Sequence, residues 1–342
     1  MSAGILRSSS QMQKILFVYN APTHFVRLDL KELRERYHVT ECYLRSRWIN
    51  VSSLWQQVRS HDLVFGWFAS WHTFLPLLFA RLSGKPSLLV IGGYDLANMP
   101  EIGYGHQRGG IRKWVSRRTM RLANVLVTNS YHSQNEAVRN ASICREKVHV
   151  VYHGVLDLFR SIPQGSRDRI ALTVGNVDRD NLLRKGHEPF VRTAALLPDV
   201  RFVLAGAWKD DAIEYLHSIA PPNVTFTGWL SEEDLMEYYR RAAVYVQPSL
   251  HEGFGMSVAE AMLAGCIPVV TGAGALPEVT GEFGVSITEA KPPIIAHAIE
   301  EALRYQDDVR ILIRQRIRDR FPMHKRGQAL ERLIAPLIAN SY

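Results

Sequence analysis

Cysteine is scarce in this 342-residue chain, and the three present, Cys42, Cys144 and Cys266, are odd in number and far apart. That argues against a disulfide framework and a thiolate zinc site, and the three are expected to be small buried hydrophobes. The thirteen histidines contain no H-E-x-x-H ligand pair, so no metal is expected. No apolar run approaches the ~20 residues of a membrane-spanning helix. The stretch Met1 to Gln13 is polar and serine-rich rather than a signal peptide. The expected location is the cytoplasm, either free or peripheral at the inner face of the membrane. No internal repeat suggests a solenoid.

What is present is a globular composition with lopsided charge. Hydrophobic residues make up 46% of the chain, and its length predicts two domains of about 150 residues each. The net charge of +8 conceals an asymmetry: residues 1–150 carry 20 Lys and Arg against 9 Asp and Glu, residues 151–342 carry 21 against 24. A basic first half suits an anionic partner such as a phospholipid surface, a lipid phosphate or nucleic acid. Its densest cluster, Arg108, Arg112, Lys113, Arg117, Arg118 and Arg121, is interleaved with Ile111, Trp114, Val115, Met120 and Leu122. On a helix these form an apolar stripe beside a basic face, as in an interfacial helix, or else an ordinary solvated surface.

Strand-like and helix-like segments alternate, which predicts an α/β fold with parallel sheets covered on both faces. First-half strands are expected at 14–19, 38–44, 61–66, 86–92, 124–128 and 147–151, with helices near 24–36, 51–59, 70–82, 109–122 and 131–140. Segment 154–168, rich in Gly, Pro and Ser, reads as a linker. A second alternation follows, with strands near 169–175, 200–205, 223–226, 243–248, 267–270 and 283–287, and 307–339 reads as helical throughout. Two doubly wound halves with a cleft between them result, and ligands of such sheets collect at the carboxyl ends of the strands.

One stretch is more specific. The apolar strand at 243–248 runs into Glu252-Gly253-Phe254-Gly255, then Met256, Ser257 and a helix carrying Glu260, then the strand Ile267-Pro268-Val269-Val270. A glycine turn opening a helix presents free N–H groups and a positive dipole end to an anion, and phosphate is the obvious one. Carboxylates beside a phosphate make sense as acceptors from hydroxyls on either side of it. A nucleotide-diphosphate sugar has that layout, with Glu252 reaching the sugar and Glu260 the ribose.

Glu252 to Glu260, continued by Ala261-Met262-Leu263-Ala264-Gly265 and by Gly272-Ala273-Gly274-Ala275-Leu276-Pro277-Glu278, resembles the E-x7-E motif and glycine-rich loop of the retaining glycosyltransferases of family four. The resemblance covers most of the chain. It implies a GT-B fold of two facing Rossmann-like domains, an acceptor-side domain at 1–160, a donor domain at 161–320, and a tail at 321–342 that returns to the first domain. It also implies transfer with retention, without a bound metal or other cofactor. By the same resemblance Lys185 is the cation on the leaving diphosphate. The family's usual arginine position is Asn176 here, so Arg179 or Arg184 is the candidate second cation. Charge building on a leaving diphosphate suits such a pair.

In the first half, Gly92-Gly93-Tyr94-Asp95 ends a strand where many relatives carry a histidine at the Gly92 position. Asp95 is a candidate for binding acceptor or donor-sugar hydroxyls, or for capping the turn. The family's first glycine pair is replaced by Asn20-Ala21-Pro22-Thr23, so phosphate contacts there would come from Asn20 or the backbone. His153 is expected at the hinge. Trp229 is either a neighbour of the donor base or buried packing. The candidate catalytic residues are thus Glu252, Lys185, Arg184 and Asp95. Donor-binding candidates are Glu260, Gly253, Phe254, Gly255, Met256, Ser257, Asn176, Asn20 and Trp229.

The function expected is a retaining hexosyltransferase that moves a sugar from a nucleotide-diphosphate sugar to a glycan or lipid acceptor. The alternatives are a nucleotide-sugar-binding or nucleic-acid-binding protein without transferase activity. A sugar-nucleotide epimerase lacks a matching acid/base set, and no aromatic-basic RNA-binding motif supports a nucleic-acid partner. The glycines near 272–274 lack the third glycine of a dinucleotide fingerprint.

Overall fold

A computed structural model describes residues 12–45, 50–159 and 167–340. The first sheet contains β1 (Lys14–Tyr19), β2 (His38–Tyr43), β3 (Leu63–Trp67), β4 (Ser87–Ile91), β5 (Val125–Thr128) and β6 (Val148–Val150), in the order β2-β1-β3-β4-β5-β6. The second contains β7 (Asp168–Val174), β8 (Arg201–Ala205), β9 (Val224–Gly228), β10 (Ala242–Gln247), β11 (Ile267–Thr271) and β12 (Val285–Ile287), in the order β12-β11-β10-β7-β8-β9. Every strand pairing is parallel. Central strands such as β3, β4 and β10 are buried along their whole length, which is why their sequences run apolar without alternation.

Helices cover both faces. In the first unit they are α1 (His24–Arg34), α2 (Val51–Ser60), α3 (Trp71–Leu82), α4 (Gly110–Leu122) and α5 (Tyr131–Ala141). The second has α6 (Arg179–Arg184), α7 (His187–Thr193), α8 (Ala212–Ile219), α9 (Glu232–Arg241), α10 (Met256–Leu263), α11 (Leu276–Thr280) and α12 (Pro292–Ala302), followed by α13 (Asp307–Arg320) and α14 (Met323–Ala339). Side-chain caps from Asn50, Ser130, Asp178 and Ser231 start α2, α5, α6 and α9. Among the described residues no helix is long and apolar enough to cross a membrane.

The continuous helix expected at 307–339 is two helices. Pro322, at the N-cap of α14, lacks the N–H that helical pairing needs, and the chain turns there. The turn redirects α14 onto the first unit, where Leu330, Ile334 and Ile338 join Ile15, Phe17 and Val90 in one core cluster. Arg326 and Asp29 form a buried bidentate ion pair there, with Nη2 to Oδ2 at 2.7 Å. The chain therefore crosses between the units twice, and the crossings touch: Val155 N donates to Phe321 O, and Val155 bridges Pro322. Of the expected linker, residues 160–166 lie outside the described residues, as do residues 1–11 of the expected polar start.

Around the crossing, aromatic side chains of both units interlock. His153 stacks on Trp67, with ring centroids 5.9 Å apart, and meets Phe25 and Phe254; Phe254 in turn packs on Phe321 and Tyr152. Burial beside the Arg326 cation holds His153 well below the ordinary histidine pKa, so it packs as a neutral ring.

Candidate active site

Each sheet reverses strand order at one point, in the first between β1 and β3 and in the second between β7 and β10. The loops that leave adjacent strands there diverge to opposite faces and open a crevice at the carboxyl edge. Asn20 and Phe68 follow β1 and β3; Gly175 and Pro248 to Glu252 follow β7 and β10.

In the second domain this topology gathers the charged candidates. Leu250 N donates to Arg184 O at 2.8 Å, tying the loop after β10 to the segment after β7. Gly186 adopts φ +74, and a Cβ there would lie 2.4 Å from Pro248 O, so the approach needs glycine. Lys185 Nζ then donates to Glu252 Oε1 at 2.7 Å, and Arg184 Nη1 stands 4.0 Å from the same oxygen. Gln247 Nε2 and Ser249 Oγ donate to that oxygen at 2.7 and 3.3 Å. Burial opposes ionisation of Glu252, but the two cations outweigh it and leave its pKa below the ordinary carboxylate value.

Of the two arginines, it is Arg184 that stands beside Lys185 and Glu252. Arg179 is exposed and committed to Asp211, to which its Nε donates at 2.7 Å. Arg184 is roofed by the Tyr104 ring of the first domain, 4.8 Å away, and its Nη2 donates to Asn181. Asn176 stands beside this group, its carbonyl accepting from Asn181 Nδ2 at 2.9 Å.

Three residues after Glu252, Gly255 (φ +97) caps the N-terminus of α10. Glu260 is the fifth residue of α10, one turn deeper than a first-turn position. Burial raises its pKa to about 7, partly offset by the Tyr239 hydroxyl, which donates to Oε2 at 3.1 Å. Ser257 Oγ reaches Gln247 Oε1 at 3.3 Å. Met256 is half-buried against the second-domain core, and the Phe254 ring faces the aromatic joint, so those two can offer the site only backbone. Trp229 follows β9 and is 75% exposed, not buried packing.

Gly253 meets the first domain. Its carbonyl accepts from Ser130 Oγ at 2.8 Å, and a Cβ on it would lie 3.2 Å from Gly93 N. Glu278 crosses the same gap to cap α5, its carboxylate accepting from Tyr131 N and His132 N at 2.9 and 2.8 Å.

The first-domain crevice holds a cavity of about 670 Å³ lined by Asn20, Trp71, His72, Asp95, His106 and Arg112, among others. Asp95 accepts from Ala69 N and Gly92 N at 2.8 and 2.9 Å, and burial still raises its pKa to about 7. Both carboxylate oxygens thus hold the loop together, the capping role foreseen for it, while the residue also borders the cavity. Phe68 sits at φ +65, a strained conformation for an aromatic residue, on the cavity wall.

Sequence reasoning missed three imidazoles. His72 and His106 border the first-domain cavity, and burial lowers both, His72 to about 4. His187 lies under Gly175 in the second domain, both ring nitrogens without a hydrogen-bond partner among the described residues, lowered to about 3 by burial and the neighbouring Lys185 and Arg184. A histidine on a strand or helix without ligand spacing carries no signal of its own, and only the tertiary fold reveals these.

Residues 168–305 match the family model described as Glycosyl transferases group 1. The alpha-galactosylglucosyldiacylglycerol synthase of Streptococcus pneumoniae is 28% identical over 170 residues, which cover 45% of this chain and 45% of that protein. The alpha-D-kanosaminyltransferase of Streptomyces kanamyceticus is 26% identical over 253 residues, covering 67% and 64%. The chain therefore spans about half to two thirds of the length of these relatives. Among solved structures, Anabaena HepE in complex with UDP and glucose superposes with a TM-score of 0.77 at 16% identity, covering 95% of this chain and all of that one. The second domain is thus similar to the glycosyl transferases group 1 family, and with two parallel six-stranded sheets of this topology the whole chain has the GT-B fold.

Proposed function

We propose that this protein is a retaining glycosyltransferase that moves a sugar from a nucleotide-diphosphate sugar to a glycan or lipid acceptor. The observation that carries the reading is the convergence of Lys185 and Arg184 on Glu252 at the reversal point of the second sheet, in the loop that leads into α10. As the glycosidic bond breaks, negative charge grows on the diphosphate, and two cations with the α10 N–H groups stabilise it there more than in the bound donor. Glu252, its Oε1 fixed by Lys185, Gln247 and Ser249, orients the sugar through the other oxygen rather than attacking it. Glu260 accepts from the ribose. The acceptor hydroxyl attacks from the side the diphosphate leaves, and a phosphate oxygen takes its proton, so the anomeric configuration is kept.

The first-domain cavity, where Trp71 and the half-buried Val115 meet Asp95 and Arg112, is the acceptor side in this reading. Beside it Ile111 and Trp114 on α4 are 72% and 51% exposed among the arginines, which supports contact with an anionic membrane surface. The name of the streptococcal relative is that of a glycosyl-diacylglycerol synthase, and the HepE complex holds UDP; these support a lipid acceptor and a uridine donor.

The deciding experiment is thermal stabilisation by UDP, GDP, ADP and their sugar conjugates, in wild type and Glu260→Ala. One nucleotide family raises the midpoint, and the variant loses most of the rise; no rise with any of them in a folded protein overturns the reading. Donor turnover separates a transferase from a binding protein, and proton NMR of the product reports its anomeric configuration, inversion being the result that removes the retaining step.

A further inference from the structure

Between the domains lies a cluster of side chains that the transfer chemistry leaves unused. His132 and Glu136 stand one turn apart on α5 of the first domain, and His251 enters from the second domain one residue before Glu252. His251 Nε2 lies 3.0 and 3.1 Å from the two Glu136 oxygens, and His132 Nε2 lies 3.6 Å from Glu136 Oε2. One donor atom from each of the three residues lies within 4.8 Å of the others. A separation of 3.6 Å is too long for a hydrogen bond. It suits two ligands of one ion, because bonds of about 2.0–2.1 Å at tetrahedral angles place ligand atoms roughly 3.3 Å apart.

The nitrogens support the same reading. His132 Nε2 is buried and has no hydrogen-bond partner among the described residues, a costly state for an imidazole with no further role. His251 Nδ1 is buried without a partner among the described residues too, so the Glu136 carboxylate is the group its ring meets, through Nε2. The Tyr104 ring, 5.5 Å from the His251 ring, covers the group.

We propose that His132, Glu136 and His251 form a site for a borderline divalent transition ion of the zinc type, and that the ion ties the first domain to the second. Two imidazoles and a carboxylate are the donor set such ions take, with a fourth position left for water. Because α5 supplies two ligands and the loop before Glu252 supplies the third, the complete site exists only when the domains are closed. The ion then favours closure by its differential affinity for that state. It reinforces the contacts of Glu278 and Gly253 with α5, and it anchors the residue next to Glu252.

The test is Zn²⁺ titration of the full chain, free of any polyhistidine tag and stripped with chelator, by calorimetry and metal analysis without donor or acceptor. One zinc ion per chain is expected. His132→Ala, Glu136→Gln and His251→Asn each weaken binding at least about tenfold, the loss that even an outer-shell partner produces. His132 is partly exposed, so His132→Ala is expected to fold, and the metal-free melting temperature of each variant checks this. No bound zinc, or equal affinity in wild type and variants, overturns the site; loss in the α5 variants with retention in His251→Asn overturns the tie between domains. Neither donor nor acceptor is present, so failure here leaves the transferase reading standing.

Discussion

The carboxyl edges of the two sheets obey one topological rule and are furnished in opposite ways. At the second-domain crevice, glycines bring charged side chains together: Gly186 lets Lys185 reach Glu252, and a Cβ on Gly274 would lie 2.2 Å from the Glu252 carbonyl oxygen. At the first-domain crevice the wall is aromatic and imidazole, with Phe68, Trp71, His72 and His106, and its one buried carboxylate, Asp95, is consumed in holding the loop. In the proposed reading, diphosphate is the invariant part of a nucleotide-sugar donor, and a fixed array of cations and N–H groups would meet it. In the same reading an acceptor would be met by shape and apolar area, which many side chains supply, so that edge would carry no comparable signature.

The tail that the two domains share gives the largest expected effect. Asp29→Ala leaves Arg326 buried with a charge its carbonyl partners cannot neutralise, and is expected to cost about 3–5 kcal/mol in thermal or urea unfolding. A loss under about 1 kcal/mol would mean that the pair does not pin the tail. Lys185→Ala attacks the charged edge and is expected to lower donor turnover by about 10²–10³, with the fold intact by circular dichroism. Replacing an aromatic group at the other edge should instead change the acceptor KM, and equal loss of donor turnover from both would erase the contrast between the edges.

A pH series comes next. Glu260 is held near 7 against an ordinary 4.5, so between those values the native protein retains a proton that the unfolded chain has released. Its stabilising contribution is complete below about pH 4.5 and is lost as the pH rises through about 7, at no more than about 1.4 kcal/mol per pH unit. Glu260→Gln should flatten that part of the stability curve of the unliganded protein, and an unchanged slope would sink the assignment. The smallest effect on folding is expected from Ile111→Ser, within about 0.5 kcal/mol, because that side chain is 72% exposed, with Trp114→Ser, half-exposed beside Phe74, costing somewhat more. Co-sedimentation with anionic vesicles should nevertheless fall, and undiminished sedimentation would leave α4 an ordinary solvated helix.

Legibility in the sequence followed the physics of each element. Central strands such as β3, β4 and β10 were readable because a parallel sheet covered on both faces demands unbroken apolar runs, and the turn from Glu252 into α10 was readable because its glycines mark backbone that packs closely. The break at Pro322 was masked by the apolar periodicity of the helices flanking it. Arg179 and Arg184 were indistinguishable until Asp211 was seen to hold one of them. His251 and Glu136 are 115 residues apart, and no local pattern could announce that they meet.

The double crossing beside Val155 has a consequence for the order of assembly. The first sheet is made before the second, yet its core is completed by Leu330, Ile334 and Ile338. During synthesis the second sheet, finished at Ile287, can close while the first still exposes the groove that α14 fills. Folding therefore finishes where it began, and an early stop that removes α14 would injure the domain farthest from it in sequence.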